Sequence, residues 1–362
     1  MHEIVLWSAV VTFKTLKYAL PLLTYLAVCR SFTQTGLECW IPVLYAFVLT
    51  PLAELLMKPS PANLNEAEEE LARKNRLYDA FLYAAVPLQY GALIFFLANI
   101  NSPGLSGWDI AGRVLSMGFL CGSYGINIGH ELGHRVNKKE RFLAKALLLT
   151  SLYMHFFIEH NRGHHRHVGT PADPSTAPKG QSVYAFWLRS ISGVYLKAWS
   201  IAADEQRKKG QAITQNEMLH YQIIQLMFLV LTGFLAGWFA LTMFIIAALM
   251  GIVLLETVNY IEHYGLKRRQ RPDGSFERAM PEHSWDSHHI IGRTILFELS
   301  RHSDHHYQAS RKYQLLRHHE EAPQLPAGYP GSMLLAMIPP VWFRVMHKRM
   351  DAYTRSGVIH QE

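Results

Sequence analysis

Long uncharged runs alternate along this chain with short stretches rich in charge and histidine, and the longest runs exceed what the core of a soluble domain needs. Residues 80–98 carry no Asp, Glu, Lys or Arg over 19 positions, and residues 221–255 carry none over 35. A helix needs about 20 apolar residues to cross the hydrocarbon layer, so the second run suffices for about two crossings. Gly233 and Gly237, beside Trp238, predict the hairpin between them. Further apolar runs cover 11–29, where Lys14 and Lys17 intrude, 39–57, with Glu54 near its end, and 110–130, where Arg113 is the single charge. The pattern predicts an all-α, polytopic integral membrane protein with six transmembrane helices, at about 11–29, 39–57, 79–99, 110–130, 219–237 and 239–260. It forms a single domain over 1–362, with segments 131–218 and 261–362 outside the bilayer.

Two other apolar stretches do not fit a crossing. Residues 331–343 are broken by Pro339-Pro340. A crossing at 142–158 would separate His160, His164 and His165 from His134, so this stretch is expected to be interfacial or re-entrant. The loops orient the rest. Lys58, Arg73, Lys74 and Arg76 crowd 58–77 and many more basic residues fill 131–218, whereas 100–108 and 233–238 have none. Basic loops stay in the cytoplasm, which predicts an inner-membrane protein with both termini inside. GHELGH (129–134) and NYIEHYG (259–265) then reach the same face. The N-terminus lacks a basic region followed by a small-residue cleavage site, so no cleavable signal peptide is expected.

Composition adds the chemistry. The 362 residues are 49% hydrophobic and 17% charged, which excludes disorder, and 20 His stand against 3 Cys. No C-x-x-C pair occurs, so zinc ribbons, a rubredoxin-type iron centre and dithiol redox chemistry are excluded. Cys29, Cys39 and Cys121 fall in or at predicted spans. The imidazoles cluster: His130 and His134 in HELGH; His160, His164 and His165 in EHNRGHH; His263 in NYIEHYG; His302, His305 and His306 in RHSDHH. Spacings of three and four place side chains on one helical face, where several rings can aim at one point. Nine imidazoles exceed the needs of one tetrahedral zinc and suit two metals with four or five nitrogen ligands each. Iron at the end of membrane helices, facing an oily compartment, suits oxygen chemistry on C–H bonds; copper, zinc and manganese remain open on ligand type alone. HELGH is also a literal H-E-x-x-H with Glu131 as a protease base, but a protease needs only one more ligand and would leave the other seven histidines largely unexplained. A metal transporter would place ionisable groups at mid-span, and these histidines sit at span ends.

The strings NIGHELGHR (127–135), FFIEHNRGHHRHVGTPADPSTA (156–177), NYIEHYGL (259–266), HSWDSHHI (283–290), FELSRHSDHHYQASRKYQLLR (297–317) and LPAGYPGSMLLAMIPPVWFRVM (325–346) resemble the membrane-bound alkane monooxygenases. These are the terminal alkane hydroxylases within the wider integral-membrane desaturase and hydroxylase superfamily. The resemblance runs from about Val11 to about Met350. It implies a six-span protein with a cytoplasmic non-haem di-iron site, two Fe ions held by His130, His134, His160, His164, His165, His263, His302, His305 and His306. It also implies O2 as oxidant and rubredoxin, with a rubredoxin reductase upstream, as electron donor. The implied reaction is alkane degradation's first step, hydroxylation of n-alkanes to primary alcohols; related oxygenases acting on aromatic methyl groups or fatty acyl chains are the alternative.

His167 and His288 stand where the relatives carry other residues and are expected not to be ligands. Glu131, Glu159, Asp173, Glu262 and Asp304 lie beside or near ligand positions and are candidate acceptors that orient imidazoles. Glu256, near the end of an apolar run, is a functional suspect or a solvent-reaching acid. No flavin, haem or iron–sulfur signature occurs, so electrons must come from a partner. Arg135, Lys138, Lys139, Arg141, Arg311, Lys312, Arg317, Arg344, Lys348 and Arg349 are expected to form a basic face for it. No nucleic-acid partner is expected.

Overall fold

The computed structural model describes residues 14–360. Among these residues the fold is all-helical, with no strand beyond two isolated bridges, Gln270 with Phe276 and Asp286 with Gln324. Helix α1 (Leu20–Ser31) leads to α2 (Gly36–Leu56) and α3 (Leu77–Asn99). Next, α4 (Gly107–Leu120) passes through a π-turn, Cys121–Ile126, into α5 (Asn127–Gly133). Further on come α6 (Lys138–Leu149), α7 (Phe156–Glu159), α8 (Val183–Lys208), α9 (Glu217–His263), α10 (His302–Tyr307), α11 (Tyr329–Ala336) and α12 (Pro339–Arg355).

Three of these, α2, α3 and α9, are long and apolar enough to cross a membrane by length and composition. The expected start of the first apolar run, residues 11–13, lies outside the described residues; from Lys14 the chain is helical through Ser31. The hairpin expected near Gly237 is present inside α9. Gly237 has φ 84° and ψ 165°, a conformation open to glycine and strained for residues with a Cβ, and it divides α9 into two limbs. The 142–158 stretch is not one helix. It ends at Leu149, Leu152 takes φ 52°, and helix resumes at Phe156. Residues 331–343 break likewise between Ala336 and Pro339.

The contact that sets the rim is α4 against the second limb of α9. A Cβ on Gly118 would lie 2.8 Å from Met250 Cβ, one on Gly122 would lie 2.9 Å from the Gly251 carbonyl, and one on Gly251 would lie 2.6 Å from Cys121 Cβ. Gly118 and Gly122 are four apart on one face, so the two backbones approach as closely as small residues permit. This crossing packs the second limb of α9 beside the π-turn that leads into α5, the helix carrying His130.

Candidate metal centre

Four segments converge where these helices end. Within α5 lies His130, with His134 just past its last turn; the π-turn His160–His164 and the residue after it bring three rings; α9 ends on His263; and α10 carries His302, His305 and His306. All nine histidines named from the sequence meet there, in two groups. His130, His134, His160, His165 and His305 form one, and His164, His263, His302 and His306 the other, with ligating atoms inside each group within 4.8 Å of one another. The wider π-turn sends the adjacent His164 and His165 to different groups, a use typical of such turns at functional sites.

Within each group the Nε2 atoms point inward. In the first, His130 and His305 lie 2.9 Å apart, His305 and His165 3.1 Å, His165 and His160 3.0 Å, and His160 and His134 3.2 Å. In the second, His306 to His302 is 2.9 Å and His302 to His263 is 3.2 Å. Ligands about 2.1 Å from a metal and 90° apart are about 3.0 Å from each other, so these separations match edges of a coordination shell. His164 Nε2 is buried in the second group with no hydrogen-bond partner among the described residues, an unsatisfied lone pair that a cation would satisfy. Burial drives His160, His165, His302 and His306 well below the usual imidazole pKa, and His305 down to about 3. Neutral nitrogen is the form that binds metal. The donor set therefore fits two metal ions.

Residues 106–333 match the fatty acid desaturase family. Alkane 1-monooxygenase 1 of Pseudomonas aeruginosa is 40% identical over 315 residues, covering 86% of this chain and 82% of its own. Alkane 1-monooxygenase of Ectopseudomonas oleovorans is 41% identical over 86% of this chain and 78% of its own. This chain belongs to the alkane 1-monooxygenase family. A xylene/toluene monooxygenase hydroxylase component from Pseudomonas putida is 32% identical, over 75% of this chain and 73% of its own. The monooxygenase identity settles the H-E-x-x-H ambiguity, and the geometry agrees. Glu131 Oε1 accepts from Arg135 Nη2 at 2.7 Å and from the Tyr313 amide at 3.2 Å, so it is engaged in an ion pair and a loop contact.

The other carboxylates divide. Asp173 accepts from His164 Nδ1 at 3.0 Å and also from Thr176 Oγ1 at 2.6 Å. Glu262 Oε2 lies 3.2 Å from His302 Nε2, and its Oε1 accepts from Tyr329 OH at 2.6 Å. Asp304 departs from the expected role: Arg311, the Arg317 amide and His319 Nε2 occupy its oxygens, so it ties down the loop after α10 and not a ring of the nine. Glu159 is buried and faces Lys197 at 3.5 Å. Glu256, a suspect from sequence, is buried and accepts from Tyr153 OH at 2.8 Å and from Ser190 Oγ, so it does not reach solvent. His167 and His288 belong to neither group.

Of the ten basic residues expected on the docking face, Arg135 is buried against Glu131 and Asp79. Arg311, Lys312 and Arg317 pair with Asp304, Asp79 and Glu69. Lys138, Lys139, Arg344 and Lys348 are exposed.

An apolar cavity lies beside the histidines, lined by residues including Phe47, Phe119, Leu296 and Met333. Asn127, Leu255, Val258 and Leu299 line both this cavity and a smaller space whose other walls include His130, His160 and His302. The sequence placed the metal site against an oily compartment, but the walls of this cavity come from distant segments that spacing alone does not bring together.

Proposed function

We propose that this protein hydroxylates the terminal methyl of n-alkanes, taking O2, two electrons and two protons and returning a primary alcohol and water. The observation that carries this reading is an apolar cavity that shares walls with a smaller space lined by His130, His160 and His302, members of the two imidazole groups. Two irons, one per group, would supply O2 activation when bound. His130, His134, His160, His165 and His305 would hold one, and His164, His263, His302 and His306 the other. Asp173 keeps His164 in the tautomer that turns Nε2 inward, whereas Glu262, held by Tyr329, faces His302 Nε2 and so would lie beside the metal and not behind the ring.

The remaining machinery is apolar. A chain lying along Phe119, Leu296 and Leu299 has only its end near the rings, which favours attack at the terminal carbon. Each methylene buried there contributes about 0.8 kcal/mol, so recognition rests on shape and length. The apolar walls offer water no hydrogen-bond partner beside the reacting carbon.

Six crossings fit the membrane setting: residues 11–29, 39–57, 79–99, 110–130, 219–237 and 239–260, with segments 131–218 and 261–362 and both termini on the cytoplasmic side of a bacterial inner membrane. Electrons come from rubredoxin, reduced by its reductase and docking on exposed Lys138, Lys139, Arg344 and Lys348. The similarity to a xylene/toluene hydroxylase supports one second reading, oxidation of an aromatic methyl. The deciding experiment supplies purified protein with rubredoxin, its reductase and NADH, and offers octane, p-xylene and a fatty acid in parallel. Formation of 1-octanol in excess is expected; turnover of p-xylene or fatty acid alone overturns the alkane reading.

A further inference from the structure

A polar cavity, with none of the nine histidines in its lining, lies between the start of the first helical stretch and the segment preceding α10. Lys14, Lys17, Arg293, Arg301, Glu298 and Gln314 are among its walls. Its charges do not balance. Lys14 pairs with Glu68 at 2.6 Å, which leaves Lys17, Arg293 and Arg301 facing one wall carboxylate. Glu298 is that carboxylate, at 3.2 Å from Lys17, 2.6 Å from Arg293 Nε and 3.8 Å from Arg301 Nε.

An independent observation points to a ligand. Gln314 is 7% exposed, and neither its Oε1 nor its Nε2 has a hydrogen-bond partner among the described residues. A buried amide with both ends unsatisfied is costly, and a ligand that supplies an acceptor would satisfy its Nε2. Arg301 Nε, on a residue 3% exposed, is likewise without a hydrogen bond. Arg293 and Arg301 also donate to the Ser60, Ala62 and Leu316 carbonyls, so excess positive charge, Arg301 Nε and an idle amide donor together describe a receptor for a tetrahedral oxyanion.

The surroundings indicate what carries it. Leu16, Leu20 and Leu23 repeat at helical spacing directly beside Lys17, and all are more than half exposed, at 51%, 59% and 56%. This apolar stripe begins at the level of the cationic cavity, as a lipid's chains begin below its headgroup. We propose that the cavity binds the phosphate group of an anionic phospholipid whose acyl chains lie along Leu16, Leu20 and Leu23. The site is separate from the hydroxylation chemistry and depends only on the membrane setting.

The test uses the full-length protein in a neutral detergent, titrated with short-chain phosphatidylglycerol and followed by native mass spectrometry and thermal melting. One saturable site per chain is expected, raising Tm, with phosphatidylcholine at least tenfold weaker. Gln314→Leu, which removes only the idle amide, should weaken binding at least fivefold without lowering Tm in the absence of lipid. Lys17→Gln, which leaves Glu298 paired with Arg293, should weaken it by a similar factor. Inorganic phosphate binding as tightly as phosphatidylglycerol keeps the oxyanion site but overturns the lipid as its source. Unsaturable binding, phosphatidylcholine bound as tightly, or unchanged affinity in both variants overturns the site.

Discussion

Asp173 holds His164 through Nδ1 at 3.0 Å, with both side chains buried. Burial opposes charge on His164, but the adjacent carboxylate outweighs it and its pKa is raised; burial likewise opposes charge on Asp173, yet His164 and Thr176 hold its carboxyl well below the usual range. One carboxylate thus sets both the tautomer and the aim of a ring in the four-histidine group. Loss of such a partner typically costs 10–100-fold in metal affinity. Asp173→Ala is expected to lower metal affinity of that group by about that factor while the five-histidine group stays loaded, as metal titration would read.

Glu131 gives the opposite expectation. Its oxygen is held by Arg135 and the Tyr313 amide, so Glu131→Gln should leave metal content unchanged. Arg135, buried and still facing Asp79 at 3.3 Å, would lose its better partner. Stability should fall by about 1–3 kcal/mol, seen as a lower Tm with full metal loading.

Glu217 predicts an acid-sensitive tie. It accepts from Lys145 at 3.1 Å, from Tyr221 OH at 2.5 Å and from Arg162, which sits in the π-turn between His160 and His164. Burial would raise its pKa, but Arg162, Tyr221 and Lys145 outweigh burial and bring it down to about 2. A carboxyl depressed in the folded state stabilises fully above its unfolded pKa, near 4.5, and that contribution is lost as pH falls toward 2. Glu217→Gln should therefore cost about 2 kcal/mol at pH 7, after allowance for partial exposure, and progressively less below pH 4. Melting curves across pH 3–7 would show the two proteins converging in acid.

Ala46 lines the apolar cavity. Ala46→Phe should shorten the longest alkane accepted, since one methylene is worth about 0.8 kcal/mol, or about fourfold in preference. Competition between hexane, octane and decane would show preference moving toward hexane while total iron stays constant.

The helices and the nine histidines were legible because charge-free length and ligand spacing are local properties. The hairpin at Gly237 was legible for the same reason, as a glycine inside an apolar run twice as long as one crossing. The sorting of His164 and His165 into different groups was not, because neighbours in sequence separate only through the local turn. Asp304 was misassigned for a related reason: standing between His302 and His305 suggested a ring partner, whereas Arg311 and His319 approach from the following loop. Glu256 found its partners, Tyr153 and Ser190, across more than sixty residues, beyond the reach of spacing arguments.

The central claim is that two groups of imidazoles each hold one iron. Elemental analysis of the purified protein, alongside His263→Ala and His134→Ala, tests it most directly. The expected result is about two irons per chain in the parent and about one in each variant, each without octane hydroxylation. A parent with a single zinc, or a variant that keeps both irons and full turnover, would contradict it.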